Sequence, residues 1–349
     1  MITGAVSEAV AKAEAELSAF WAAATDEGGT PKARAATLNF VAVSVPAEVD
    51  NLRAAIEDLA STRAGRVFLM TVDGRLAPWE LDTDVSPVCH KEGDTVVCYD
   101  RIELRFGAVA AARGASVLSA LALSEVPTIV ELGKGAPATL ADALVKGADR
   151  LIVDSAHTSV GRIAELAGKT RAPLGDRAFV RTFSWREFVA RFFDEAPGAE
   201  RAIGRVEIER TTAERSDPAA LLLGWLASRL GWRFESDTLA RDAEGMPVEI
   251  VVKAPAGQEL APGEIAAIRL TTAIDNRPLF CGCQRKQGER VVRWTMSGPR
   301  SVAHEYAIGH RDEGWVLLKA IDSPEADPVY RAAVMAAAAW AKLHEGAPR

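Results

Sequence analysis

Four groups of residues have the types and spacing to do chemistry. The first is Gly133-x-Gly135-x-x-Ala138, directly after the apolar run TIVEL (128–132), with Asp154 ending the next apolar run 21 residues after Gly133. In a dinucleotide-binding unit such glycines let the backbone approach a pyrophosphate at a helix N-terminus, and the acidic residue holds the ribose hydroxyls. Pro137 lies inside the motif and the helix after it spans only 138–147, which equally describes a plain glycine-rich β-to-α turn.

The second group is Cys89 and Cys98, which flank Gly93-Asp94, a Gly-first dipeptide suited to a two-residue type II′ hairpin turn. That turn sets Glu92 opposite Thr95, Lys91 opposite Val96, His90 opposite Val97 and Cys89 opposite Cys98. The last pair occupies a non-hydrogen-bonded position, where facing Cα atoms come closest. Two states are open to it: a reducible cross-strand disulfide, or two small apolar side chains kept as thiols, the form a reducing compartment favours. A slip of one residue in the turn removes the pairing.

Third, Cys281-x-Cys283 places two thiols on one face of a strand, with His304 and His310 on later segments. Zinc takes four such ligands in a tetrahedron, but this spacing matches no familiar zinc module. His90, His157 and His344 suggest no triad with a neighbouring Ser or Cys, and no Gly-x-Ser-x-Gly elbow, Walker loop, His-Glu-x-x-His or Tyr-x-x-x-Lys occurs. The reading therefore shifts from an enzyme towards a binding or regulatory protein.

The fourth group lies in RTFSWREFVARFFD, where Arg181, Phe183, Trp185, Arg186 and Arg191 mix rigid aromatics with arginine, the anchor chemistry of protein interfaces. Phe188, Phe192 and Phe193 continue at helical spacing, so most of the stripe is expected in the core with Arg181 and Arg186 on its edge. Arg181, Trp185 and Arg186 are the candidate partner-interface residues.

These groups need elements to hold them. An amphipathic segment over 5–25 reads as a docking helix, followed by a Gly-Gly-Thr-Pro break at 28–31. LNFVAVSV (38–45) and RVFLMTVD (66–73) read as buried strands around a helix at 47–63, which predicts a right-handed parallel pair. The cysteine hairpin interrupts the alternation. A helix at 108–122, the strand TIVEL, a helix at 138–147 and the strand DRLIVDS (149–155) resume it, with helices at 158–168 and 184–194 beyond.

A strand at 205–211 and a helix at 217–232 lead into a different region. From 233 to 320 the chain reads as strands separated by turns at Asp242–Gly245, Ala256-Gly257, Gln287-Gly288 and Arg311–Gly314, closed by a helix at 327–344. The expected fold class is an α/β N-terminal half, Rossmann-like with a mostly parallel sheet and an antiparallel hairpin, plus an α+β C-terminal half with an antiparallel sheet. The pattern loosens between 195 and 217, predicting domains of 1–200 and 201–349.

Composition narrows the classes further. The 349 residues carry 41 basic against 48 acidic side chains, a net charge of −7, which argues against nucleic acid or an anionic membrane as partner. The longest charge-free apolar stretches, around 114–124 and 332–341, fall far short of the roughly 18 residues a bilayer span needs. The N-terminus shows no basic region followed by an apolar core. With four cysteines and no disulfide framework, a reducing cytoplasm is the expected compartment.

In order along the chain, RAATLNFV (34–41), CYDRIELR (98–105), LIVDSA (151–156), LGDRAFVRTFSWREFVARFFD (174–194) and VEIERTTAERSDPAALLLGWLASRLGW (206–232) resemble the glucose-6-phosphate dehydrogenase assembly protein family, OpcA. The resemblance spans roughly residues 34–320. Glu131-Leu132-Gly133 and Asp176-Arg177-Ala178-Phe179 stand where relatives tend to carry tryptophan. It implies a non-catalytic partner that binds glucose-6-phosphate dehydrogenase, promotes its active oligomer or raises its substrate affinity, and so supports NADPH production in the oxidative pentose phosphate pathway. No cofactor of its own is implied. In some relatives the effect is tied to thioredoxin, which makes thioredoxin a second candidate partner and Cys89 and Cys98 a candidate redox pair. The alternative is a dinucleotide-binding enzyme or NADP(H) sensor using Gly133, Gly135 and Asp154.

Overall fold

The computed structural model describes residues 2–22, 32–34, 37–60, 65–92, 94–211, 218–255, 260, 264–299, 301–309, 311–323 and 327–346. Its contacts divide into two compact units: residues 1–154, 168–175 and 312–324 form the first, and 155–167, 176–311 and 325–349 the second.

The first unit opens with helix α1 (Ile2–Ala22) and the short strand β1 (Lys32–Arg34). Next come β2 (Asn39–Ser44), α2 (Val49–Ala60), β3 (Arg66–Val72), β4 (Leu81–Val85), β5 (Val88–Glu92) and the long β6 (Thr95–Phe106). Helix α3 (Gly114–Leu121), β7 (Thr128–Leu132), α4 (Ala138–Leu144) and β8 (Arg150–Val153) follow. The chain then passes through α5 (Val160–Lys169), of which residues 160–167 belong to the second unit, and reaches β9 (Leu174–Asp176).

These strands form a sheet in the order β1-β6-β3-β2-β7-β8-β9, with β4 and β5 pairing further along β6. From β1 to β8 every neighbouring pair on that path is parallel, whereas β4 and β5 run antiparallel to β6. The reason is visible in the residues: β2, β3 and β8 are buried at almost every position, as parallel strands covered on both faces require. Asn39, buried in β2, exchanges bonds with Leu123, donating to its carbonyl at 2.8 Å and accepting from its N–H at 2.9 Å. Such pairing is what lets an amide sit in an apolar core.

Helix α1 is tied to the first unit through its last turn. Its Trp21 indole N–H donates to Oδ1 of Asp100 at 2.8 Å, and Oδ2 of that buried carboxylate accepts from Nε and Nη2 of Arg66 at 2.9 and 2.8 Å.

The second unit holds α6 (Arg177–Arg181), α7 (Phe183–Glu195), β10 (Arg205–Arg210) and α8 (Pro218–Leu230). Strands β11 (Arg233–Phe234), β12 (Leu239–Arg241), β13 (Pro247–Lys253), β14 (Ile265–Ile274), β15 (Arg277–Arg285), β16 (Val291–Ser297) and β17 (Val302–Ala307) complete its sheet, ordered β11-β12-β13-β10-β14-β15-β16-β17. All its pairs are antiparallel except β10 with β13. Trp294 of β16 stacks on Phe192 of α7 at 4.6 Å and donates to the Phe188 carbonyl at 3.0 Å, seating α7 on the sheet.

Helix α10 (Asp327–Gly346) packs against α8. The two approach so closely that a Cβ on Gly224 would lie 2.3 Å from the Ala333 carbonyl and 2.6 Å from the Ala337 nitrogen. The buried alanines of α10 are the counterpart of that glycine, since small side chains permit short interaxial distances.

One expected stretch of strand is a helix. Residues 313–322 form α9 (Glu313–Asp322), started by Asp312, whose side chain accepts from the Trp315 N–H at 2.7 Å. The polar run Arg311–Gly314 is thus a helix N-cap and not a β-turn. Within the first unit α9 packs against α2, and the buried Arg150 guanidinium donates to the Ala320 carbonyl in its last turn at 2.6 and 3.1 Å. The expected turns at Gly93 and at Ala256-Gly257 fall outside the described residues. No helix is long and apolar enough to cross a membrane among the described residues.

Candidate functional site

The hairpin register is the one the two-residue turn dictates: Glu92 pairs with Thr95, Lys91 with Val96, His90 with Val97 and Cys89 with Cys98. Cys89 and Cys98 face each other with Cα atoms 4.1 Å apart and are joined as a disulfide. Cys98 is buried and Cys89 is exposed, so the solvent-facing member of the pair lies on β5.

The glycine turn lies at the C-terminal end of β7. Gly133 donates its N–H to the Val43 carbonyl at 2.8 Å and accepts from the Ala136 N–H at 3.2 Å. Gly135 has a φ of +72°, and a Cβ there would lie 2.6 Å from Cγ1 of Val45. Turn geometry and close approach to β2 therefore account for both glycines. Pro137 precedes α4, a helix of 7 residues with no side-chain cap. Asp154, just past β8, is 5% exposed.

Cys281 and Cys283 lie buried on β15, and burial pushes the Cys281 thiol up to about 12 and raises Cys283 likewise. Cys283 is paired with Trp294, which is paired in turn with His304, so an indole stands in the row between thiol and imidazole. His310 falls outside the described residues, among which no group of three His, Cys, Asp or Glu side chains is placed to hold a metal ion.

In the second unit, Asp176 organises the segment carrying Arg181, Trp185 and Arg186. Its Oδ1 caps α6, accepting from the N–H groups of Ala178 and Phe179 at 2.7 and 3.2 Å, and its Oδ2 accepts from the Tyr330 hydroxyl at 2.7 Å. The Arg186 guanidinium lies 3.5 Å over the Phe179 ring and donates to the Phe179 carbonyl at 2.8 Å. Desolvation there lowers Arg186 to about 10. Trp185 is 7% exposed and Arg181 half-buried, while Phe183 between them is 48% exposed. The stripe is thus core, as its helical spacing predicts, and Phe183 is the aromatic that solvent reaches.

The cysteine hairpin and glycine turn belong to the first unit and the arginine–aromatic segment to the second. A residue that spacing did not single out is Trp79, 55% exposed in the loop before β4. Its one sequence signal is membership of a set of eight tryptophans beside only three tyrosines.

Residues 56–168 match the family described as glucose-6-phosphate dehydrogenase subunit N-terminal domain, and residues 172–334 match its C-terminal domain. The chain is 30% identical over 155 residues to an OxPP cycle protein OpcA of Synechocystis sp., a match covering 42% of this chain and 32% of that protein. A protein of the same name from Nostoc punctiforme is 31% identical over 159 residues, covering 42% and 33%. Each match spans about a third of the curated relative's length.

Among solved structures, the super-repressor mutant of Gal80p from Saccharomyces cerevisiae aligns with a TM-score of 0.42 at 11% identity, covering 81% of this chain and 82% of that one. An oxidoreductase from Sinorhizobium meliloti aligns at 0.47 and 12%, covering 89% and 97%.

Proposed function

The chain belongs to the glucose-6-phosphate dehydrogenase assembly protein (OpcA) family, and from that premise we propose that it is a non-catalytic partner of glucose-6-phosphate dehydrogenase, stabilising its active form. The observation that carries this reading is the pair of family matches, which together run from residue 56 to 334. An activator must bind the active state of its target more tightly than the inactive one. A tenfold shift needs only about 1.4 kcal/mol of differential affinity, within reach of one or two interface anchors. In the cytoplasm such an effect raises NADPH output from the oxidative pentose phosphate pathway.

On the arginine–aromatic segment, the proposed contact is made by Phe183 with Arg181, while the buried Trp185 and Arg186 hold the segment in place. Thioredoxin, as a dithiol, would donate two electrons and two protons to the Cys89–Cys98 bond, leaving two thiols here and a disulfide on itself. The exposure of Cys89 supports that route.

A dinucleotide-binding role for Gly133, Gly135 and Asp154 finds less support, because the Gly133 N–H is already bonded to Val43 and the helix behind the turn is short. Titration with NADPH and NADH, followed by thermal shift, tests it directly.

For the main proposal, the protein is mixed with the cognate dehydrogenase. Co-elution with a lowered Michaelis constant or a larger oligomer is expected. No co-elution and no kinetic change would overturn it.

A further inference from the structure

Among the described residues Trp79 is the one tryptophan largely open to solvent. An exposed indole on a loose loop would be unremarkable, but this one is held. Pro78 and Trp79 form the centre of a turn in which Glu80 donates its N–H to the Ala77 carbonyl at 2.9 Å, and the Ala77 N–H donates to the Glu80 side chain at 3.0 Å. On the other side, the Pro78 carbonyl accepts from the N–H groups of Val109 and Ala110 at 2.7 and 2.9 Å, and the Glu80 carbonyl accepts from Gly107 at 2.8 Å. The loop is thus bonded to itself and to the segment after β6, which carries Val109, itself 51% exposed.

Beside the indole lies a groove of about 390 Å³ between this loop and helix α1. Its charged lining is Glu8 and Lys12 from α1, and Glu80 and Asp82 from the loop and β4, three carboxylates to one ammonium. Lys12 donates to the carbonyl of Thr83, itself part of the lining, at 3.0 Å, and Asp82 is paired with Arg105, which leaves Glu8 and Glu80 against the one ammonium. Glu8 is exposed, and no ion pair to it is found among the described residues. An apolar partner laid in this groove would strip water from the carboxylates without replacing it. A guanidinium or ammonium does the opposite: it stacks on the indole face, where the ring quadrupole attracts a cation, and pairs with the acidic wall.

We propose that this groove docks a basic segment of the dehydrogenase, with an arginine or lysine side chain laid on Trp79 and compensated by Glu8 and Glu80, and with Val109 as the adjoining apolar contact. The inference rests on the functional reading above and assigns the contact to the first unit. A rigid aromatic anchor has little conformational freedom left to lose on binding, which is why such residues dominate interface energetics.

The test measures affinity for the cognate dehydrogenase by titration calorimetry, using the full chain and its variants Trp79→Ala, Trp79→Phe and Glu8→Lys. Trp79→Ala is expected to weaken binding at least tenfold, Trp79→Phe less, and Glu8→Lys severalfold with a flatter dependence on salt. Circular dichroism and thermal midpoint should stay at wild-type values, since both side chains are exposed. Unaltered affinity in Trp79→Ala and Glu8→Lys, with the wild type binding, overturns this inference and leaves the functional reading standing. No binding by the wild type overturns both. A concentration-dependent dimer that Trp79→Ala abolishes, with affinity for the dehydrogenase unchanged, gives the groove to a second copy of this chain and also overturns it.

Discussion

The indole of Trp21 and the carboxylate of Asp100 are joined by a 2.8 Å hydrogen bond across 79 positions of sequence, and that bond fastens helix α1 to the strand at the middle of the antiparallel excursion. Asp100 is fully buried and also receives the guanidinium of Arg66, itself 9% exposed. Asp100→Asn would leave that cation without its counter-charge, at a cost of about 3–5 kcal/mol. Trp21→Phe removes one bond to a charged acceptor, about 1.5–3 kcal/mol. Urea denaturation followed by circular dichroism ranks the two, and equal small losses would show that the triad contributes little.

A second prediction concerns the contact of α8 with α10. Gly224→Ala forces its new methyl within 2.8 Å of the Ala337 Cβ and closer still to backbone atoms, so the helices must separate. Overpacking of this kind costs about 1–3 kcal/mol or more. The thermal midpoint should fall, and an unchanged midpoint would mean that α10 shifts freely.

Thiol reactivity gives a third. Of the four cysteines, two are joined to each other and two are buried with thiols held in the neutral form, so native unreduced protein should react with Ellman's reagent slowly or not at all. Unfolding in denaturant should release two equivalents, and prior reduction four. Four without reduction would mean that Cys89 and Cys98 are not bonded in the native chain.

The fourth concerns acid. Hydrogen bonds from the Arg75 side chain, with help from its backbone N–H, hold the Asp73 carboxyl at about 2, below its ordinary 3.8. An acid held lower in the folded than in the unfolded chain contributes stability that is complete above the unfolded value and drains away as pH falls through the folded one. Stability should therefore decline from about pH 4 to about pH 2, and Asp73→Asn should make that limb shallower. Denaturant midpoints measured across this range decide it, with an identical slope in the variant counting against the assignment.

Local rules made the first unit readable. Continuous apolar runs locate β2, β3 and β8, and a two-residue turn fixes the pairing of β5 with β6 down to Cys89 opposite Cys98. Long-range relations were not legible in the same way. The parallel pairing of β10 with β13 inside an antiparallel sheet has no local signature. The segment after Arg311 reads as another turn because Asp312 and Gly314 are turn formers, yet Asp312 serves as a helix cap. Asp275 and Asn276, both at positive φ, make the turn between β14 and β15 without a glycine to announce it. For the candidate sites, the mixture of arginine and aromatics on α7 shows composition but not exposure. Trp79 has no periodic context at all, and only the hydrogen bonds around its loop reveal that the loop is held.

Helix α9 is made late and used early in the chain's architecture. It covers α2 and supplies the carbonyl that accepts from Nε and Nη2 of Arg150, although residues 176–311 of the second unit are synthesised in between. During translation the first unit must therefore emerge and wait, with α2 uncovered and Arg150 lacking its Ala320 acceptor, until the ribosome has passed residue 322. Order of synthesis and order of completion are opposed: the unit begun first is closed by one of the last helices the ribosome makes.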